Sequence, residues 1–134
     1  MPGNFFDTNV LVYLAARDAM KADRVEEMIN RGGSVSVQVL NELSNVARRK
    51  MRLSWSETHS FLSKIRSLLE VYPITVEVHE IGLGLAERHG LSIYDAMIVA
   101  SALESECDTL WSEDMQDGLM VGRRLRITDP FRPS

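Results

Sequence analysis

The 134-residue chain reads as an α/β protein, a three-layer α/β/α sandwich around a parallel sheet of about five strands. Three observations predict this. Short apolar, β-prone segments alternate with longer helical patterns along the whole chain. Helix-start residues follow directly on several of the strand candidates. The length suits one domain over residues 1–134 and leaves no room for two.

Taken in order, Asn4 to Phe6 is the first predicted strand, and its aromatic pair suits a buried position. Val10 to Asp18 starts a helix for which Asp7, Thr8 or Asn9 is available as cap. Lys21 to Asn30 continues as helix and closes at Gly32, the usual C-terminal place for glycine. Ser34 to Val37 is the second strand. Val39 to Met51 is helical, with Val39, Leu43, Val46 and Met51 near one face. Ser54-Trp55-Ser56-Glu57 matches a capping box and opens a helix reaching about Glu70. Val71 to Thr75 is a strand that Pro73 assigns to an edge. Glu77 to His89 is a helix ended by Gly90. Ser92-Ile93-Tyr94-Asp95 is a second capping-box match before the apolar helix Ala96 to Glu104. Thr109 to Trp111 and Leu125 to Ile127 complete the five strands, and the tail after Thr128, with Asp129, Pro130 and Pro133, reads as frayed coil.

Composition narrows the class. A chain of this size buries roughly 68% of the surface its unfolded form exposes, so it builds a core without staples. One cysteine excludes a disulfide framework and any multi-cysteine zinc site. Fifteen Lys and Arg against nineteen Asp and Glu give a net charge of -4, and with a pI near 5.4 this excludes a generic basic nucleic-acid coat. Asp7 arrives early with no Lys or Arg ahead of the apolar stretch, unlike a targeting signal. The longest apolar run, Ala96 to Leu103, is far short of the ~20 residues that span a bilayer. A cytoplasmic protein with no membrane partner is the expectation.

Open α/β sheets bind ligands beyond the carboxyl ends of their strands. Four acids fall where they can reach that edge: Asp7 directly after the first strand, Glu42 about one turn into the helix after the second, Asp95 in the first turn of an apolar helix, and Asp114 just after the fourth strand, with Asp117 close by. Gathered carboxylates repel one another and raise some of their own pKa values, which a cation relieves. Several carboxylates with few histidines favour a hard, oxygen-liganded ion, Mg²⁺ or Mn²⁺, suited to phosphoester chemistry. Each acid also has an ordinary reading. Asp7 and Asp95 suit helix caps, Glu42 a solvated face, and Asp114 with Asp117 a polar turn before Gly118.

Basic residues concentrate at Arg48, Arg49, Lys50 and Arg52. Arg49 lies seven residues after Glu42 and so within ~20° of it around the helix, which makes it, with its neighbours Arg48 and Arg52, a candidate phosphate contact along the same groove. The alternative is that basic residues simply favour a helix C-terminus. Arg123, Arg124 and Arg126 form a second cluster, equally well explained by a solvated edge strand. Arg17 is a further candidate near the first strand's exit. His59, His79 and His89 read as surface residues, Cys107 as a small buried one, and Trp55 with the seven methionines as core or interface filler. The apolar face Trp55, Phe61, Leu62, Ile65, Leu68 and Leu69 suits a dimer or partner contact.

Four motifs together resemble the PIN-domain ribonucleases. Phe5-Phe6-Asp7-Thr8-Asn9-Val10-Leu11-Val12-Tyr13 is similar to the family's opening motif. Val39-Leu40-Asn41-Glu42-Leu43 resembles the second acidic motif, and Leu91 to Ala102 the third and most specific. Leu110-Trp111-Ser112-Glu113-Asp114-Met115 resembles the fourth. Order and spacing agree over essentially the whole chain. The resemblance implies a PIN fold and a Mg²⁺- or Mn²⁺-dependent nuclease that hydrolyses RNA phosphodiesters. It makes Asp7, Glu42, Asp95 and Asp114 the catalytic metal ligands, with Asp117 as a further one, and gives Asn9 and Ser112 supporting roles. The length looks most like VapC-type toxins, which act as homodimers and are inhibited by a cognate antitoxin. A PIN nuclease of RNA processing without an antitoxin, and a non-catalytic RNA- or protein-binding PIN module, are the alternatives. An aspartyl-phosphate phosphatase would want an acid two residues after its nucleophile, where Asn9 stands. Setting the five candidate acids aside leaves fourteen acids against fifteen bases, so the acidity does not count against a nucleic-acid substrate.

Overall fold

In a computed structural model that describes residues 3–16 and 18–132, six strands form one sheet in the order β3-β2-β1-β4-β6-β5. The strands are β1 (Asn4–Phe6), β2 (Ser34–Ser36), β3 (Glu70–Tyr72), β4 (Thr109–Trp111), β5 (Met120–Val121) and β6 (Leu125–Thr128). The helices are α1 (Thr8–Leu11), α2 (Ala19–Asn30), α3 (Val37–Arg49), α4 (Trp55–Leu68), α5 (Val76–His89) and α6 (Ile93–Glu104). All strand pairs are parallel except β5 with β6. The α/β reading therefore holds, with one strand more than the five expected.

The extra strand is β5. It has two residues, too few for any alternation to register, and hairpin geometry makes it: Val121 pairs with Leu125 across a turn in which Gly122 and Arg123 both take positive φ. The second arginine cluster therefore sits differently from the expectation. Arg123 and Arg124 occupy this turn, and Arg126 lies on β6, which β5 shields from the edge. Arg124 donates to the Leu103 carbonyl oxygen at 2.7 Å.

The first predicted helix, Val10 to Asp18, is shorter and earlier. Asp7 caps α1, a 3₁₀ turn follows over Val12–Leu14, and Asp18 caps the separate α2 by accepting from the Lys21 amide. Arg17 lies outside the described residues. Both halves of the Ser54/Glu57 capping box form, at 3.0 and 2.8 Å, and β3 lies at the sheet edge as expected, ending just before Pro73. On α3 the buried stripe is Val39, Leu43 and Ala47. Val46, expected on that face, turns toward a pocket instead.

The tail is not frayed coil up to Arg132. The Asp129 amide donates to Asp117, Pro130 is buried, and the Phe131 ring meets the edge of Tyr13 at 5.2 Å. Lys21 Nζ sits 4.8 Å from both ring centroids and donates to Glu113 at 2.8 Å and to Tyr13 at 3.2 Å. This clasp ties the tail to the loops after β1 and β4. Pro133 lies outside the described residues.

The core follows the central strands. Phe5, Phe6, Val35, Leu110 and Ile127 are fully buried, and residues Ala96 to Ala102 of α6 are buried on every side. Small residues permit that depth: α5 approaches α6 so closely that a Cβ on Gly82 would lie 2.7 Å from Met97 Cε. Gly33 has a stricter reason, since a Cβ there would lie 2.4 Å from the Phe6 ring and 3.0 Å from the Asn4 carbonyl oxygen. Chain direction across the sheet reverses between β1, whose successors run toward β3, and β4, whose successors run toward β5. Right-handed crossovers then put the connections on opposite faces, and the crevice for a ligand lies where the direction reverses, beyond the carboxyl ends of β1 and β4.

Candidate active site

Register builds the site. Phe6 pairs with Trp111, and the Asp7 amide donates to the Trp111 carbonyl oxygen at 3.0 Å, so both chains leave the sheet side by side. Asp7 is the first residue past β1, and Ser112 the first past β4. Ser112 Oγ donates to Asp7 Oδ2 at 2.8 Å, and Asn9 Nδ2 donates to the same oxygen at 3.1 Å. The Thr8 amide donates to Asp7 Oδ1 at 2.7 Å. Asn9 is itself fixed, because its Oδ1 accepts from the Glu113 amide at 2.9 Å. Asp7 is thus at once a helix cap and an immobilised carboxylate, so its capping role leaves one carboxylate oxygen held toward the pocket by side chains.

The other acids arrive from different segments. Ser36, at the end of β2, caps α3, which carries Glu42 to the same edge. Thr8 Oγ1 donates to Glu42 Oε1 at 3.1 Å and Gln38 Nε2 to Oε2 at 2.7 Å, so both oxygens are oriented. Ser92 caps α6 by accepting from the Asp95 amide at 3.2 Å, placing Asp95 in the first turn. Asp114 lies on the exposed loop after β4. Asp7, Glu42, Asp95 and Asp114 line one pocket of about 340 Å³, together with Thr8, Asn9, Val12, Val46 and Lys50. A larger cavity, about 550 Å³, opens at the opposite end of the strands among Gly3, Asn4, Gly33, Ser34 and Cys107, without these acids.

Charge in the pocket is unbalanced. Burial pushes the Asp7 carboxyl up to about 7; the Ser112 and Thr8 hydrogen bonds oppose this, and the Asp95 and Glu42 charges add to it. Asp95 is also raised, by burial first, against the Ser92 hydrogen bond and with the help of Glu42 and Asp114. None of the four acids forms an ion pair with Lys or Arg among the described residues. Lys50 is the single cation on the pocket wall, so four carboxylates face one positive charge.

The donors fit a hard cation, being carboxylate oxygens with no sulfur or imidazole at the pocket wall. As the side chains stand, no three His, Cys, Asp or Glu among the described residues are close enough to enclose an ion. That spacing still suits Mg²⁺, which keeps several waters and takes one or two carboxylates directly.

Not every candidate joins this pocket. Asp117 faces the tail, accepting from the Asp129 amide at 2.8 Å and standing 3.8 Å from Arg132. Arg48 is held elsewhere: its guanidinium lies 4.1 Å over the Trp55 ring and donates to the Leu53 carbonyl oxygen at 2.6 Å. Trp55 is accordingly not core, with 63% of its surface exposed. Arg49 and Arg52 are exposed and do not line the pocket; Lys50 does. Sequence reasoning set Lys50 inside a basic run without singling it out. The available signal was the four-residue spacing Gln38, Glu42, Val46, Lys50, an inclined ridge that the pocket follows in place of the helix axis.

A search of curated proteins finds no match. The fold is shared with a toxin–antitoxin complex from Klebsiella pneumoniae, at 17% identity and TM-score 0.73, over 98% of this chain and 100% of that one. It is shared with the sarcin–ricin-loop-cleaving toxin VapC20 of Mycobacterium tuberculosis, at 18% identity and TM-score 0.68, over 84% and 90%. VapBC2 of Rickettsia felis, bound to a promoter DNA fragment, is similar at 19% identity and TM-score 0.69, over 94% and 97%. The PIN domain family model matches residues 5–116, a span that contains all four pocket acids, and the chain belongs to that family.

Proposed function

We propose that this protein is a divalent-metal-dependent ribonuclease and the toxin of a toxin–antitoxin pair. The observation that carries the reading is the pocket itself: four carboxylates from four separate segments, none ion-paired among the described residues and with Lys50 the single cation on the wall, at the point where the sheet reverses direction. Mg²⁺ or Mn²⁺, when bound, supplies an activated water and neutralises charge on the phosphodiester. Asp7, Glu42, Asp95 and Asp114 are the residues that would hold it. Ser112 and Asn9 keep Asp7 in one orientation, and Thr8 and Gln38 do the same for Glu42, so little reorganisation is left for the reaction. Asn9 donates to Asp7 and has no acidic proton, which argues against an aspartyl-phosphate phosphatase.

The antitoxin partner is supported by the structures that share the fold, which include a toxin–antitoxin complex and VapBC2. RNA as substrate is supported by the cleavage described for VapC20. A homodimer in the cytoplasm goes with this reading, and no helix among the described residues is long and apolar enough to cross a membrane.

The test is cleavage of single-stranded RNA by the purified protein in Mg²⁺ or Mn²⁺, in chelator, and with Asp7→Asn. Cleavage is expected only with metal and only with Asp7 intact. Undiminished cleavage in chelator or in the variant would refute the reading.

A further inference from the structure

A second pocket, about 360 Å³, adjoins the acidic one and shares Glu42 and Asp95 with it; its other walls are Gln38, Asn41 and Tyr94. Tyr94 directly precedes Asp95 in the first turn of α6 and leaves 66% of its surface exposed. Its hydroxyl has no hydrogen-bond partner among the described residues, so neither core packing nor a polar contact accounts for an aromatic ring there. Asn41 is exposed beside it, one residue before Glu42. At the far end of the acidic pocket stands Lys50, the one cation among its lining residues. The α3 ridge Gln38, Glu42, Val46, Lys50 joins the two pockets, and twelve residues of helix measure ~18 Å.

Each end offers one half of single-strand recognition. Exposed aromatic faces stack unpaired bases, side-chain amides read base edges, and lysine neutralises phosphate. We infer that the substrate strand lies along this ridge, with a base stacked on Tyr94 and its edge met by Asn41, the backbone crossing the four acids, and a neighbouring phosphate held by Lys50. This inference rests on the ribonuclease reading and adds to it the path of the strand and the side chains that hold it.

The experiment uses a labelled short single-stranded oligoribonucleotide of mixed sequence. Binding is read by anisotropy in an Asp7→Asn background, which keeps the strand uncut. KM and kcat are read on the otherwise unaltered protein. Tyr94→Ala is expected to weaken binding roughly 5- to 160-fold, mostly in KM and with the salt dependence unchanged, while Tyr94→Phe and Tyr94→Trp restore it. Lys50→Ala is expected to lower the slope of log affinity against log salt by about 0.7, the value for one phosphate on a single strand. Both side chains are exposed, so melting curves near those of the parent protein are expected. Wild-type binding and KM in either alanine variant would overturn the inference and leave the ribonuclease reading standing. So would a Tyr94→Ala protein with unchanged RNA binding but altered sedimentation, which would make the ring a protein contact. A parent protein that neither binds nor cuts RNA would instead bring down the ribonuclease reading.

Discussion

Ser112 Oγ donates to Asp7 Oδ2 at 2.8 Å across 105 residues of sequence, and this bond joins the exits of the two strands that define the candidate site. Ser112 is itself fully buried and accepts from the Met115 amide at 3.2 Å, so the loop carrying Asp114 is anchored through the same hydroxyl. Ser112→Ala removes a hydrogen bond to a charged group, a kind worth about 1.5–3 kcal/mol. The carboxyl should then rise further, because this bond is the largest influence holding it down. Cleavage should fall most at the acid end of its pH range, with Ser112→Thr restoring part of it. An unshifted pH profile in Ser112→Ala would contradict the role.

Asp7 should also leave a mark on metal-free stability. Its carboxyl rises from 3.8 to about 7 on folding, so the stabilisation from its protonated form is complete below pH 3.8 and is lost as pH rises to about 7. Asp7→Asn mimics the protonated form at every pH. The variant should therefore gain on the parent protein between those two values and hold a constant lead above them, at most on the order of 4 kcal/mol. Urea titrations across that range in chelator check this. A lead that stays level across the range would contradict it.

Divalent ion should stabilise the parent protein and not the variant. Binding to the folded state alone adds about 2.7 kcal/mol at a hundred times Kd. Melting temperature should climb with Mg²⁺ or Mn²⁺ in the parent chain and stay flat in Asp7→Asn and in Asp95→Asn.

Gly33→Ala should destabilise by about 1–3 kcal/mol, the usual cost of overpacking. The added methyl meets the Phe6 ring and the Asn4 carbonyl oxygen, and the latter is backbone that cannot swing aside. Phe6 directly precedes Asp7, so cleavage should suffer as well as denaturant midpoint. Gly84→Ala, with nothing within 4 Å of its added methyl, is the control.

Phe131→Ala should cost about 1–2 kcal/mol, as expected for a half-buried aromatic ring. It strips the Tyr13 and Lys21 clasp of its third member and frees the tail from the loop after β1. Proteolysis within the last residues should accelerate before global unfolding does.

Local signals were legible in most places where the cause is local, although of the second box only the Ser92 half forms among the described residues. The Ser54/Glu57 box needs only a three-residue spacing, and it forms in full. The strands Asn4–Phe6 and Thr109–Trp111 match their predicted bounds, because each sets two adjacent large apolar side chains between polar residues, which suits a buried position. The two-residue β5 was not legible, since pairing with β6 rather than intrinsic preference makes it a strand.

The sequence by itself determined the residue chemistry: which carboxylates follow which strands, a single cysteine that excludes a multi-cysteine centre, and an α/β order that sends strand ends to one edge. Tertiary structure alone decided which of those groups meet. Pairing of Phe6 with Trp111 brings Ser112 onto Asp7, tail packing draws Asp117 away, Trp55 captures Arg48, and the inclined α3 ridge puts Lys50 rather than Arg49 at the pocket wall. The physical reason is range. Propensity and capping act over a few residues, whereas a pocket is assembled by strand register and packing between segments about a hundred residues apart.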